Sequence, residues 1–135
     1  MASWEDVRRI ALALPETSEG TSRDLVAWKV GKKTFVWERP LREKEARELG
    51  AAAPSGPILG AWVEDLGAKE ALLADDSGHF FTTAHFDGYA AVLVKLERIG
   101  VAELREVIVE AWLARAPKRL ARGYAETLAE PGQSP

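Results

Sequence analysis

The feature that most constrains the fold is a pair of β-prone segments that meet at a two-residue turn. Residues 24–30 (DLVAWKV) and 33–38 (KTFVWE) flank Gly31 and Lys32, and apolar and polar side chains alternate along them. A tight turn between two such segments pairs them as an antiparallel hairpin. One face of this hairpin is apolar, so the chain must bury that face against a second layer.

The register of the hairpin predicts which residues face the core. With Gly31 and Lys32 as the turn, Trp28 lies opposite Phe35. Because side chains alternate along each strand, the other large apolar residues fall on the same face as this pair. The predicted apolar face consists of Val26, Trp28, Val30, Phe35 and Trp37.

A second hairpin and one further strand follow. Residues 79–86 (HFFTTAHF) and 89–96 (YAAVLVKL) are β-rich, and the dipeptide Asp87-Gly88 between them is suited to a type I′ turn. Residues 58–63 are the remaining predicted strand. The chain therefore contributes about five strands to a sheet.

Two of the predicted helices have clear sequence signals. Residues 3–14 begin at Ser3, a good N-cap, with Asp6 in the first turn, and their apolar residues recur at spacings of three and four. Residues 101–116 carry a longer apolar stripe: Leu104, Val107, Ile108, Ala111 and Trp112. Shorter helices are predicted over residues 41–49, over 68–74 and from Pro117 through Leu128.

The order of these elements predicts an α+β fold. Hairpins separated by helices indicate a mostly antiparallel sheet of about five strands with helices packed on one face. Residues 16–23 (ETSEGTSR) are turn formers, so we predict a loop before the first hairpin. We expect one domain over residues 1–130 and a disordered tail at 131–135.

Composition excludes several classes of protein. The chain has 135 residues and no cysteine, which excludes a disulfide scaffold, a cysteine-ligated metal site and a thiol nucleophile. No stretch approaches the roughly 18 apolar residues of a membrane span, and charges interrupt the apolar positions of the N-terminal segment. We expect a cytoplasmic protein with no membrane partner.

The polar residues form no catalytic or metal-binding constellation. On a regular strand, His79 and His85 would lie about 20 Å apart at roughly 3.4 Å per residue, so they and Asp87 would not share a metal. Four of the five tryptophans fall on predicted core faces, and Trp62 alone has no clear place. We therefore predict a non-enzymatic domain with no catalytic residue, no metal and no cofactor.

Positive charge is concentrated in two segments. The net charge is −3, yet seven cations and three anions lie between residues 29 and 47, and residues 115–122 hold four cations and no acid. Clustered cations hold nucleic acid by neutralising phosphates and releasing counterions, although charged turns and helix ends are also common as solvated surface. The predicted nucleic-acid-binding residues are Lys29, Lys32, Lys33, Arg39, Arg115, Lys118, Arg119 and Arg122.

Four segments together resemble the MmcQ/YjbR family. They are ALPET, AWKVGKKTFVW, FFTTAHFDGYAAVLVKL and ELREVIVEAWLARAPKRLA, and the likeness extends from about residue 3 to 124. The resemblance implies a two-layer α+β fold with a mostly antiparallel sheet, similar to the secretion-chaperone class. Family members are commonly labelled DNA-binding by analogy with a "double wing" domain.

Three functions remain open from the sequence. The leading hypothesis is a binding domain for DNA that uses the basic hairpin and the C-terminal helix residues. The first alternative is a protein-interaction module that dimerises or grips a partner, because the resembled fold class includes chaperones. The second is a small-molecule-binding domain, which requires a pocket with converging polar groups.

Overall fold

The computed structural model describes residues 2–22 and 24–129, which form five helices and a six-stranded sheet. The predicted tail, residues 131–135, lies outside the described residues. The elements in chain order are α1 (Trp4–Leu12), β1 (Thr17–Ser22), β2 (Leu25–Val30), β3 (Lys33–Glu38), α2 (Glu43–Leu49), β4 (Ile58–Trp62), α3 (Leu66–Leu73), β5 (Phe80–Phe81), β6 (Ala91–Lys95), α4 (Val101–Arg115) and α5 (Lys118–Ala129).

The sheet confirms the predicted α+β fold. Its strand order is β1-β2-β3-β4-β6-β5, and every neighbouring pair is antiparallel. Helices α1 and α4 cover one face, where Trp28, Trp112, Phe35 and Leu59 are almost fully buried. The predicted stripe of α4 is confirmed, because all five of its residues are buried.

Strand β1 occupies the segment predicted as a loop, so that prediction is wrong. Glu16 adopts φ 54° and turns the chain after α1, and six residues then pair with β2. The side chain of Glu19 in β1 accepts a hydrogen bond of 3.0 Å from the indole Nε1 of Trp28. The turn propensity of the segment is overridden by its pairing with the edge of β2 and by this hydrogen bond. Both are contacts with a distant part of the chain, which local sequence alone cannot show.

A bulge corrects the predicted register of the first hairpin. The turn at Gly31 is as predicted, but Trp28 pairs with Val36 rather than with Phe35 because the register shifts between Trp28 and Lys29. Phe35 and Val36 are both buried in the helix-covered core. A one-residue shift moves every later side chain to the other face, and Trp37 therefore packs on the face opposite the helices.

The second hairpin is shorter than predicted. Only Phe80–Phe81 pairs with β6, and residues 84–86 form a short 3-10 helix instead of continuing the strand. Asp87 adopts φ −59° and ψ 129°, and Gly88 adopts φ 83°, which is a type II turn rather than type I′. This irregular segment places Phe86 on the open face of the sheet, beside Trp37.

Candidate nucleic-acid interface

The two basic segments of the sequence meet at one end of the molecule. The carbonyl of Glu16 accepts a bond of 3.1 Å from the backbone N–H of Gly31, in the hairpin turn. The carboxylate of Glu16 pairs with Arg119 of α5 at 3.4 Å. Arg115, at the end of α4, donates from Nε to the carbonyl of Thr34 at 3.1 Å. These bonds hold the hairpin turn against the junction of α4 and α5.

We refer to this region as the basic end, and most of its cations are exposed. Of the described acidic residues, only Glu16 forms an ion pair or hydrogen bond with one of its cations. Arg115 is half-buried, and the remaining side chains are exposed. The basic end consists of Lys29, Lys32, Lys33, Arg115, Lys118, Arg119 and Arg122.

Arg39 lies apart from the basic end, although the sequence groups it with the hairpin lysines. It follows β3 at the end opposite the turn, about 20 Å from Lys33 at roughly 3.4 Å per residue. Its guanidinium is buried and forms two hydrogen bonds, of 2.8 and 2.9 Å, with the carboxylate of Glu45. Arg39 is therefore buried and paired with Glu45, and it is not part of the basic end.

Glu45 shows how strongly this buried pair is held. Burial alone would raise the pKa of its carboxyl, but hydrogen bonds from the Arg39 guanidinium, the Arg42 backbone N–H and the Thr83 hydroxyl act in the opposite direction. The pKa of Glu45 is consequently lowered to about 2. The network fixes α2 to the segment before Phe86, and its role is structural.

An apolar groove adjoins the basic end on the open face of the sheet. Its cavity measures about 490 Å³ and is lined by Leu25, Val26, Ala27, Thr34, Trp37, Glu38 and Trp62. The rings of Trp37 and Trp62 are 6.1 Å apart and tilted by 46°. The sequence placed Trp37 in the main core and gave Trp62 no place, because the bulge that brings them together has no local signal.

Gly60 supports the ring of Trp37. A Cβ built on Gly60 would lie 2.4 Å from Cε2 of Trp37 and within 2.8 Å of two further ring atoms. One face of the indole is therefore pressed against bare backbone of β4, and the ring lies flat on the sheet. The same side chain lines the groove.

Arg115 links the groove to the basic end. Its guanidinium carbon lies 4.4 Å from the ring centroid of Trp62, which is a cation–π contact. Lys29 pairs with Thr34 across β2 and β3 and so projects from the same face as the groove. The aromatic groove and two cations therefore share one surface.

The histidines are not brought together. His79 Nδ1 lies 2.8 Å from Glu103 Oε1, on α4, whereas His85 packs edge-on against Phe86 at 4.9 Å between ring centroids. Within residues 2–22 and 24–129, no group of three or more His, Asp or Glu side chains is placed to hold a metal. The same residues include no helix long and apolar enough to cross a membrane.

Comparison with known proteins agrees with this fold. The model of the YjbR family matches residues 12–114. The chain belongs to the YjbR family. Two relatives of this YjbR protein are the uncharacterised protein Mb2600 of Mycobacterium bovis and the uncharacterised protein Rv2570 of Mycobacterium tuberculosis. Each is 50% identical over 127 residues, which covers 92% of this chain and 96% of the relative.

A solved structure shows the same fold. The Deinococcus radiodurans protein DR2400, described as a DUF419 domain, superimposes with a TM-score of 0.64 and 17% identity. The match covers 96% of this YjbR protein and 89% of the other chain. The family and the α+β fold implied by the resemblance are therefore confirmed.

Proposed function

We propose that this YjbR-family protein is a non-enzymatic domain that binds nucleic acid through the basic end. The observation that supports this function is the union of the hairpin turn with the α4–α5 junction, through Glu16 and Thr34. Two basic segments about 80 residues apart in sequence thereby form one surface. Seven cations with a single acid paired among them suit a ligand that carries repeated negative charge.

The net charge of −3 is compatible with this proposal because the charges are segregated in space. Residues 51–90 carry one basic and six acidic residues, and the exposed acids include Asp65 and Asp75 around α3. Helix α3 packs near β5, which is the sheet edge opposite β1. Helix α3 therefore lies toward the β5 edge, displaced along the strand order from the hairpin lysines of β2 and β3.

Salt dependence tests the proposal most directly. We would titrate the protein into a labelled mixed-sequence duplex at increasing salt and follow fluorescence anisotropy. Contacts with about three to five phosphates give a log–log slope of roughly −2.7 to −4.5, since each phosphate contributes about 0.9. The double variant Lys32→Glu/Lys33→Glu should weaken binding and reduce the slope.

The matched control is Lys44→Glu/Arg47→Glu. Both residues are exposed cations on α2, beyond the far end of β3, and the change in net charge is the same. Equal weakening by both double variants would mean that net charge alone governs binding. That result, or no binding at low salt, would contradict an interface at the basic end.

A protein partner is the second candidate function, favoured by the position of β1 at the edge of the sheet. Strand β1 pairs with β2 on one side, and its other side is an edge that can accept a further strand. Light scattering across a concentration series tests self-association through this edge. The N–H groups of residues 18, 20 and 22 point toward β2, so that of Thr21 points outward; Thr21→Pro removes this outer donor and should reduce any dimer that forms there.

A further inference from the structure

We propose that the groove beside the basic end seats unpaired bases, and that the ligand of this protein is single-stranded nucleic acid. This inference rests on the proposed function and specifies its ligand. The indole of Trp37 supplies the stacking surface, and Lys29 and Arg115 supply contacts with the adjoining phosphates. Aromatic platforms beside cations are the general means by which proteins bind single strands.

The position of Trp37 suits stacking. The indole packs against β4 at Gly60, and the side chain lines the groove. Phe86 and Trp62 flank it, with ring centroids 6.4 and 6.1 Å away. A ring held flat in this way presents a fixed aromatic surface, so little conformational entropy is lost when a base stacks on it.

The cations near the groove lie where the sugar-phosphate backbone of a bound strand would pass. Arg115 donates a hydrogen bond from Nε to the carbonyl of Thr34, and its contact with Trp62 holds the guanidinium at the rim of the groove. Lys29 is exposed on the same face of the sheet. A strand whose base lies on Trp37 can therefore place phosphates against the basic end, so charge complementarity favours nucleic acid as the occupant.

Glu38 is the acidic residue that lines the groove. Its Oε1 accepts a bond of 3.2 Å from the backbone N–H of Val26. A carboxylate here repels phosphate but can accept a hydrogen bond from the N–H groups at the edge of a base. The apolar floor and this acceptor suit a base, whereas the phosphates belong at the cationic rim.

A regular duplex cannot use this surface. Its bases are stacked on one another, so they present edges rather than faces, and its phosphates can reach only the cations of the basic end. The structure therefore predicts two levels of affinity. A duplex binds by charge alone, and a single strand of the same sequence adds the stacking contribution of Trp37.

The experiment compares three labelled probes of about 12 nucleotides, within the range of single-strand site sizes. They are a single strand of mixed sequence, its duplex, and a strand with the same phosphates but abasic at every position. We expect the single strand to bind most tightly. Trp37→Leu should weaken single-strand binding roughly 5- to 100-fold, the range for loss of one base–aromatic stack, and leave duplex binding unchanged.

Two variants serve as controls. Trp37→Phe keeps an aromatic face and should retain most of the single-strand preference. Phe81→Leu makes the same type of change on the same face of the sheet, outside the groove, and should have no effect. Thermal unfolding of each variant establishes that it folds before binding is compared.

The outcomes separate this inference from the proposed function. Equal affinity for single strand, duplex and abasic strand, or no effect of Trp37→Leu, would overturn the inference while the basic end remains a duplex-binding surface. No binding of any probe would overturn both. Self-association that Trp37→Leu abolishes, without binding of any probe, would assign the groove to a second copy of this chain and would also overturn both.

Discussion

Arg115 and Trp62 form a cation–π pair that closes one side of the groove. The guanidinium carbon lies 4.4 Å from the ring centroid of Trp62. Nε of the same side chain donates a hydrogen bond of 3.1 Å to the carbonyl of Thr34. Arg115 ends α4, on the helix-covered side, whereas Trp62 belongs to the opposite face of the sheet. This one side chain therefore connects the two faces of the sheet at the edge where β3 begins and β4 ends.

Replacing Arg115 should reduce both stability and affinity. Arg115→Met keeps much of the aliphatic length but loses the cation–π contact and the bond to Thr34, which together contribute about 1–3 kcal/mol. Urea unfolding measures the loss. Arg105→Met is the matched control, since Arg105 is exposed on the same helix and should change the free energy of unfolding by less than about 0.5 kcal/mol. Equal losses in both variants would show that the contact with Trp62 contributes nothing.

A side chain at Gly60 should displace Trp37. In Gly60→Ala the new Cβ would meet the indole at 2.4 Å, so the ring must move, at a cost of about 1–3 kcal/mol. Gly20→Ala in β1 provides the comparison, because nothing lies within 4 Å of a Cβ built there. We expect Gly60→Ala alone to lower the melting temperature and to weaken single-strand binding. An unchanged melting temperature would mean that the ring is not pressed against β4.

Stability should fall in acid because of Glu45. Its pKa in the folded protein is about 2, below the ordinary value of 4.5, so the folded state holds the carboxylate more strongly than the unfolded chain does. Its contribution is complete above about pH 4.5 and is lost as the pH falls toward 2, with a maximum of about 3 kcal/mol.

Unfolding in urea at pH 6 and at pH 3 measures this loss. Glu45→Gln should be less stable than the parent at pH 6, and the difference should narrow at pH 3. Glu43→Gln, an exposed change on the same helix, should leave the pH dependence as it is in the parent. A difference between Glu45→Gln and the parent that stays constant with pH would contradict the ion pair with Arg39.

Lys69 should hold the segment that carries Phe86. Its buried ammonium donates to the carbonyls of Phe86 and Tyr89, at 2.6 and 2.9 Å. Lys69→Met leaves both acceptors without this donor, at about 1–3 kcal/mol for a buried unsatisfied group. Hydrogen exchange should accelerate over residues 82–90 in Lys69→Met and not in Lys44→Met, in which an exposed lysine is replaced. Unchanged exchange in that segment would show that Lys69 does not stabilise it.

Local patterns in the sequence predicted the helices well. Ser3 and Asp6 form the capping box expected of an N-terminus, and the five apolar residues of α4 are buried. These features depend on residues three or four apart, which the sequence displays directly. The turn at Gly31 was also predicted, because a two-residue turn between β-prone segments is a local signal.

Features that depend on distant contacts could not be predicted. The segment of β1 is rich in turn formers, and it becomes a strand because β2 offers an unpaired edge and Trp28 a donor for Glu19. The sequence identified the cations of the hairpin and of α5, but it could not show that they lie together. Glu16 brings them together through bonds to Gly31 and Arg119, which are 15 and 103 positions away in sequence. The partner of Arg39, Glu45, is only six residues away in sequence, but the sequence does not show that this pair is buried.

Because of the bulge at Phe35, the groove depends on the number of residues between the hairpin turn and Trp37. One extra residue between the turn and Trp37 moves that indole from the helix-covered face to the open one. Deleting a single residue there would exchange the two surfaces of the second half of β3 and fill the groove with a residue meant for the core. In this chain, the number of residues between the turn and Trp37 therefore decides whether the indole lines the groove or is buried beneath the helices.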